Sequence, residues 1–131
     1  MTIFHYRETF KAVRSGLRRT PTLAENANTT LLRQVSQNFR KEFPNAEIGR
    51  HAVGHRGEFS ATLDEAKRHG VAKKGGGIFI MPQMKGKEFV ATARGMEFRQ
   101  DISITSARKL IEITRVVYSA FPILEGKLPK I

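Results

Sequence analysis

Apolar residues recur along this chain at helical spacing first, at strand spacing later, and at helical spacing again near the end. Ile3, Tyr6, Phe10, Val13 and Leu17 alternate steps of three and four, which places them on one face of a helix over residues 2–17, with Thr2 as its N-cap. Leu31, Leu32, Val35, Phe39 and Phe43 predict a second helix from Thr29 or Thr30 to Phe43, closed by Pro44. Phe59, Leu63 and Ala66 mark a shorter third helix over residues 58–69, with Gly70 after its last turn. Residues 19–28 read as a connector broken by Pro21, and residues 45–57 as a Gly-punctuated loop.

Beyond residue 70 the pattern changes. Lys73, Lys74 and Gly75 to Gly77 form a basic, flexible hinge, and residues 78–81 and 88–93 carry short β-forming runs. Pro82 to Lys87 would close a hairpin between them, and residues 97–104 alternate as a third strand. A last helix begins at Ser103 or Thr105 and presents Leu110, Ile111, Val117, Tyr118 and Phe121 on one side; Pro122 ends it, and the tail reads as extended. The fold class expected is therefore mainly α: an antiparallel three-helix bundle over residues 1–70, then a basic extension over residues 71–131. The extension comprises a hinge (71–77), a small sheet (78–104), a helix (105–121) and a tail (122–131).

Composition sharpens this picture in one direction. The 131 residues carry 23 Lys and Arg against 12 Asp and Glu, a formal net charge of +11. Such a field favours an anionic partner, whether nucleic acid, membrane surface or acidic protein, and speeds association with it. The charge is also patterned: Arg7, Lys11, Arg14 and Arg18 repeat with the helical period on a second face of the first helix. A row of this kind matches phosphates or a row of carboxylates. Without cysteine, disulfides and thiolate metal sites are excluded for this chain. No apolar run approaches the roughly 20 residues needed to span a bilayer. The start lacks the apolar core of a secretory signal, whereas residues 2–19, Arg-rich with Glu8 as their one acid, have the character of a mitochondrial address.

Candidate catalytic chemistry is sparse. His51 and His55 stand four apart but lack the Glu of an HExxH arrangement, and His5 and His69 lie elsewhere; surface histidines are the simpler reading, with no metal expected. No serine sits in a Gly-x-Ser-x-Gly elbow, and adjacent Asp64 and Glu65 point apart on a helix. The Lys73–Gly77 run lacks the Gly-Lys-Ser/Thr ending of a phosphate-cradling loop. No enzyme is expected. Phe79, Phe89 and Phe98, interleaved with Lys85, Lys87, Arg94 and Arg99, could stack bases on a sheet, although the same rings are needed for a core.

His5-Tyr6-Arg7 at the head of a basic first helix resembles the Leu-Tyr-Arg signature of the LYR-motif proteins, with His in place of Leu. The stretch from Leu31 through Phe39 to Lys41 resembles that family's second helix, and residues 58–68 its third, so the likeness covers residues 2–70. The resemblance implies a small, basic, three-helix mitochondrial protein that binds the acidic acyl carrier protein. It would itself hold no cofactor; the acyl chain on the carrier's 4′-phosphopantetheine arm enters the apolar space between the helices. By position, Tyr6, Arg7, Lys11, Arg14, Arg18, Arg33, Arg40 and Lys41 would meet the carrier and its phosphate. Phe10, Val13, Leu32, Val35, Phe39, Phe59 and Leu63 would line the acyl chain. The implied role is an accessory or assembly scaffold joining the carrier to a large mitochondrial assembly, a respiratory complex or the mitochondrial ribosome, in the matrix or on the matrix face of the inner membrane.

The alternative is a basic nucleic-acid-binding protein, ribosome-associated or phage-encoded, contacting phosphates of RNA or DNA through Lys73, Lys74, Lys85, Lys87, Arg94 and Arg99. Were the LYR resemblance false, a cytoplasmic setting would follow. A third class is an adaptor or inhibitor acting on an acidic protein surface.

Overall fold

The computed structural model describes residues 3–59, 61–79 and 82–131. It is mainly helical, with a small antiparallel sheet following the N-terminal helices, as the sequence pattern leads one to expect. The chain divides into two compact units: a helical unit of residues 1–44 and 104–131, and a sheet unit of residues 45–103.

In the helical unit, α1 (Ile3–Gly16) runs into a 3-10 turn (Leu17–Arg19), and Thr2 lies outside the described residues. The connector is not irregular: Pro21 opens a short helix α2 (Pro21–Asn26), the position where a fixed φ and a missing N–H do least harm. Asn28 then caps α3 (Thr29–Glu42), its Oδ1 accepting from the Leu31 amide at 3.0 Å while its own amide donates to Ala120 at 2.8 Å. The last helix, α7 (Ile104–Ser119), packs along α3, and a Lys109–Glu42 ion pair bridges the two. The tail is not extended: a 3-10 turn (Pro122–Leu124) folds it back, and Arg115 donates to the Ile131 carbonyl at 3.1 Å.

The core of this unit is aromatic. Tyr6 stacks on Phe39 with centroids 5.1 Å apart, and Phe39 leans on Phe43 at 5.2 Å. Phe4, Phe10, Leu32, Val35, Ile113, Ala120 and Phe121 are buried. Thr114 donates its hydroxyl to the Leu110 carbonyl at 2.7 Å. Its one hydrogen is thereby used, so Tyr6 must donate to Thr114 Oγ1 at 3.1 Å.

In the sheet unit, residues 46–54 form a helix, α4 (Ala46–Gly54), where a loop was expected. Ala46, Gly49 and Ala52 are its buried face; small residues let it lie close to the sheet, and they escape a search for large apolar side chains. The expected third helix is split into α5 (Arg56–Phe59) and α6 (Leu63–His69). Thr62 caps α6 by accepting from the Glu65 amide at 3.2 Å.

β1 (Val71–Ala72) pairs with β2 (Ile78–Phe79). The expected hinge is the turn between them, with Gly75, Gly76 and Gly77 all at φ near +90°, a region other residues resist. The remaining sheet is β3 (Gln83–Lys85), β4 (Glu88–Ala93) and β5 (Met96–Asp101), antiparallel in that order. The strand expected at residues 78–81 thus pairs backward with β1; residues 80 and 81 fall outside the described residues, and β3 arises where only a turn was expected. Phe98, Ala91 and Ala93 pack against Ala52, with Ile48 and Phe89 at the margin.

The expected division at residue 70 is therefore corrected. The helix that completes the helical unit beside α1 and α3 is α7, and the segment over residues 58–69 belongs to the sheet unit, where α6 packs on β4. The physical reason is burial: Leu63 is 66% exposed and Ala66 is the one buried residue of α6, too little apolar surface to cover α1 and α3. The longer apolar face of α7 serves that purpose.

Candidate docking surface of the helical unit

Charge is distributed unevenly between the units. The helical unit holds 13 Lys and Arg against five Asp and Glu, a net +8 of the total +11. With Tyr6 and Phe10 inward, α1 presents Lys11 and Arg14 as exposed residues of its second stripe, and Arg18 extends that row on the 3-10 turn. Arg7 is half-buried at its head. Lys11 pairs with Glu8 at 2.8 Å, an exposed pair of small net value. Among the described residues, Arg14, Arg18 and Arg33 enter no ion pair. On α3, burial of Leu32, Val35 and Phe39 leaves Arg33, Arg40 and Lys41 exposed, with Arg40 reaching Ser36 Oγ at 3.4 Å.

The residues expected to line an acyl chain are separated. Phe10, Leu32, Val35 and Phe39 are 7% exposed or less and fill the unit's own core. Leu63 lies exposed in the sheet unit, and the side chain of Phe59 is outside the described residues. Tyr6, expected at the partner surface, is buried at 5%; burial raises its pKa above the usual phenol value, outweighing the Thr114 hydrogen bond, so it stays a neutral donor. Its role is to lock α1 onto α3 and α7.

Val13 lies elsewhere. It is 38% exposed and, with Gly16, Leu17 and Leu23, forms one wall of an open groove of about 350 Å³. Val117, Tyr118, Phe121, Leu124 and Leu128 form the other wall. This groove was not legible in the sequence, since it needs the tail to fold back against α7. Its wall from α1 and the following turn alternates with the cationic stripe: Val13 and Leu17 line it, while Arg14 and Arg18 stand exposed at the next positions.

The residues expected to contact nucleic acid are scattered over the sheet unit. Arg99 is clamped by Glu97 at 2.9 Å and Glu88 at 3.2 Å, which raise its pKa, and its charge is spent there. Phe98 is buried, and half-buried Phe89 tilts against it at 6.3 Å as part of the same core; the side chain of Phe79 is outside the described residues. Lys73, Lys74, Lys85, Lys87 and Arg94 are exposed. His51 and His55 stack with centroids 5.7 Å apart on α4, and His55 faces Glu58 at 2.8 Å. Among the described residues, no group of three or more His, Asp or Glu is placed to hold a metal, and no helix is long and apolar enough to cross a membrane.

No family model, curated protein or solved structure matches this chain. The likeness to LYR-motif proteins therefore rests on the motif residues themselves.

Proposed function

We propose that this chain is a non-enzymatic docking module whose helical unit binds an acidic, acyl-bearing carrier protein and joins it to a larger mitochondrial assembly. The observation that carries this reading is the run of Arg14 and Arg18 alongside an apolar groove begun by Val13 and Leu17. A polynucleotide would engage the cations and leave the groove empty. A carrier protein uses both: its carboxylates and the phosphate of its pantetheine arm meet the arginines, and its acyl chain occupies the groove. Each methylene so buried contributes about 0.8 kcal/mol, and charge complementarity steers the encounter. The proposed chain site is this groove, because Phe10, Leu32, Val35 and Phe39 already fill the space between α1, α3 and α7.

The test is native mass spectrometry and calorimetry with mitochondrial acyl carrier protein bearing either a bare pantetheine arm or a decanoyl chain. A one-to-one complex is expected, tighter by about tenfold or more with the acyl chain, which corresponds to the burial of a few methylenes. Arg14→Glu with Arg18→Glu should abolish it, and Val13→Asp should remove the acyl dependence alone. Failure to form a complex, or equal affinity for both carriers, would overturn the reading.

A further inference from the structure

The sheet unit holds a second cationic feature, built on a strained turn. β4 and β5 are joined by Arg94 and Gly95, with φ of 54° and 73°. Positive φ at both central residues is the type I′ hairpin, which favours Asn-Gly or Gly-Gly. Arginine is a poor occupant of the first position, and Arg94 is the single non-glycine residue with positive φ among those described. Strain of this kind persists where surrounding contacts impose it and often accompanies function.

Those contacts are specific. The Arg94 amide donates to His69 Nδ1 at 3.3 Å, which leaves the ring proton on Nε2, facing Glu65 at 3.3 Å. The turn lies against the end of α6, where a Cβ on Gly95 would stand 3.9 Å from the Arg68 carbonyl. Arg68, His69 and Arg94 surround a shallow, open pocket of about 460 Å³. From α4, Arg50 reaches His51 Nε2 at 3.5 Å, and its own buried Nε finds no partner among the described residues. Arg50 and Arg94 both hold the pKa of His51 down. Glu65 pairs with Arg68 at 3.4 Å, and Arg94 adds a second guanidinium to the pocket.

We propose that the β4–β5 turn, with Arg68 and Arg94, is a binding site for a single compact phosphate group. Guanidinium forks suit the tetrahedral oxyanion, and their convergence on one turn suits a point ligand. A polynucleotide needs a track instead. Here the sheet's other cations, Lys85 and Lys87, flank the opposite end of β4, about seven strand residues or ~23 Å from Arg94.

Titration of the full chain with inorganic phosphate, and with sulfate as a dianion whose charge is constant near neutrality, tests this by amide NMR shifts. Saturable shifts centred on His69, Arg94 and Gly95 are expected. The informative variant is Arg94→Gly, which relieves the strained φ. It should raise the melting temperature while weakening phosphate about tenfold, the effect of losing one charge-assisted contact. Arg68→Gln should weaken it several-fold with the fold intact. Unchanged affinity in Arg94→Gly overturns the site. So does tighter binding of a twelve-residue oligouridylate that Lys85→Gln with Lys87→Gln weakens as much as Arg94→Gly does, since that result describes a track of phosphates.

Discussion

Tyr6 shows how one side chain ties the helical unit together. Its ring stacks on α3 and its hydroxyl donates to α7 through Thr114. Tyr6→Phe keeps the ring and removes the donor, leaving Thr114 Oγ1 with one partner fewer; a loss of about 1 kcal/mol is expected in urea unfolding. Tyr6→Ala also opens a cavity and should cost about 3–5 kcal/mol. His51 gives a pH signature. Burial first, then Arg50, His55 and Arg94, hold its folded pKa below the ordinary value of 6.5. The unfolded chain therefore takes up this proton first as pH falls. Stability is full above about pH 6.5 and declines below it, toward the lower folded pKa. His51→Asn should flatten the dependence of stability on pH between about 6.5 and the onset of carboxylate titration, measured by chemical unfolding at several pH values. The place of Tyr6 on the apolar face of α1 was legible from its periodicity. That Tyr6 faces inward to a hydroxyl 108 positions away was not.

At the scale of elements, long periodic faces were readable and short or small-residue ones were not. α1, α3, α7, β4 and β5 follow from their spacing, because large apolar residues recur with a clear period. α4 escaped because its buried face is Ala46, Gly49 and Ala52. β3 escaped because its three residues inherit their conformation from pairing with β4. The caps were not read from the sequence: Asn28 and Thr62 hold the start of α3 and α6, and the expected cap Thr2 lies outside the described residues. Asn28→Ala should destabilise the helical unit by about 1 kcal/mol, more than an exposed substitution such as Thr30→Ala, in matched thermal melts. The cationic row of α1 was readable as a pattern, but the groove beside it was not, because its second wall comes from α7 and the refolded tail.

At the scale of the whole chain, the helical unit is discontinuous: its α7 is supplied from beyond the sheet unit. A chain ending at residue 103 would leave Leu32, Val35 and Phe39 without Ile113 and Thr114. We expect residues 1–70 alone, and residues 1–103 alike, to lack a cooperative helical-unit transition by circular dichroism and to lose amide dispersion for α1 and α3. A sharp two-state melt of residues 1–70 would restore the division at residue 70. The charge imbalance belongs to this scale too, since +8 on the helical unit sets the field that a partner meets.

Local order along the chain fixed the helices with wide apolar faces, the turns that need glycine, the excess of positive charge and its spacing on α1, because each depends on neighbours within a few residues. Tertiary structure alone decided which helix completes the three-helix core, where the apolar groove opens, and which arginines converge at the β4–β5 turn. Those outcomes depend on burying surface between segments distant in sequence, and the spacing of residues along a chain carries no record of which distant surface will fit.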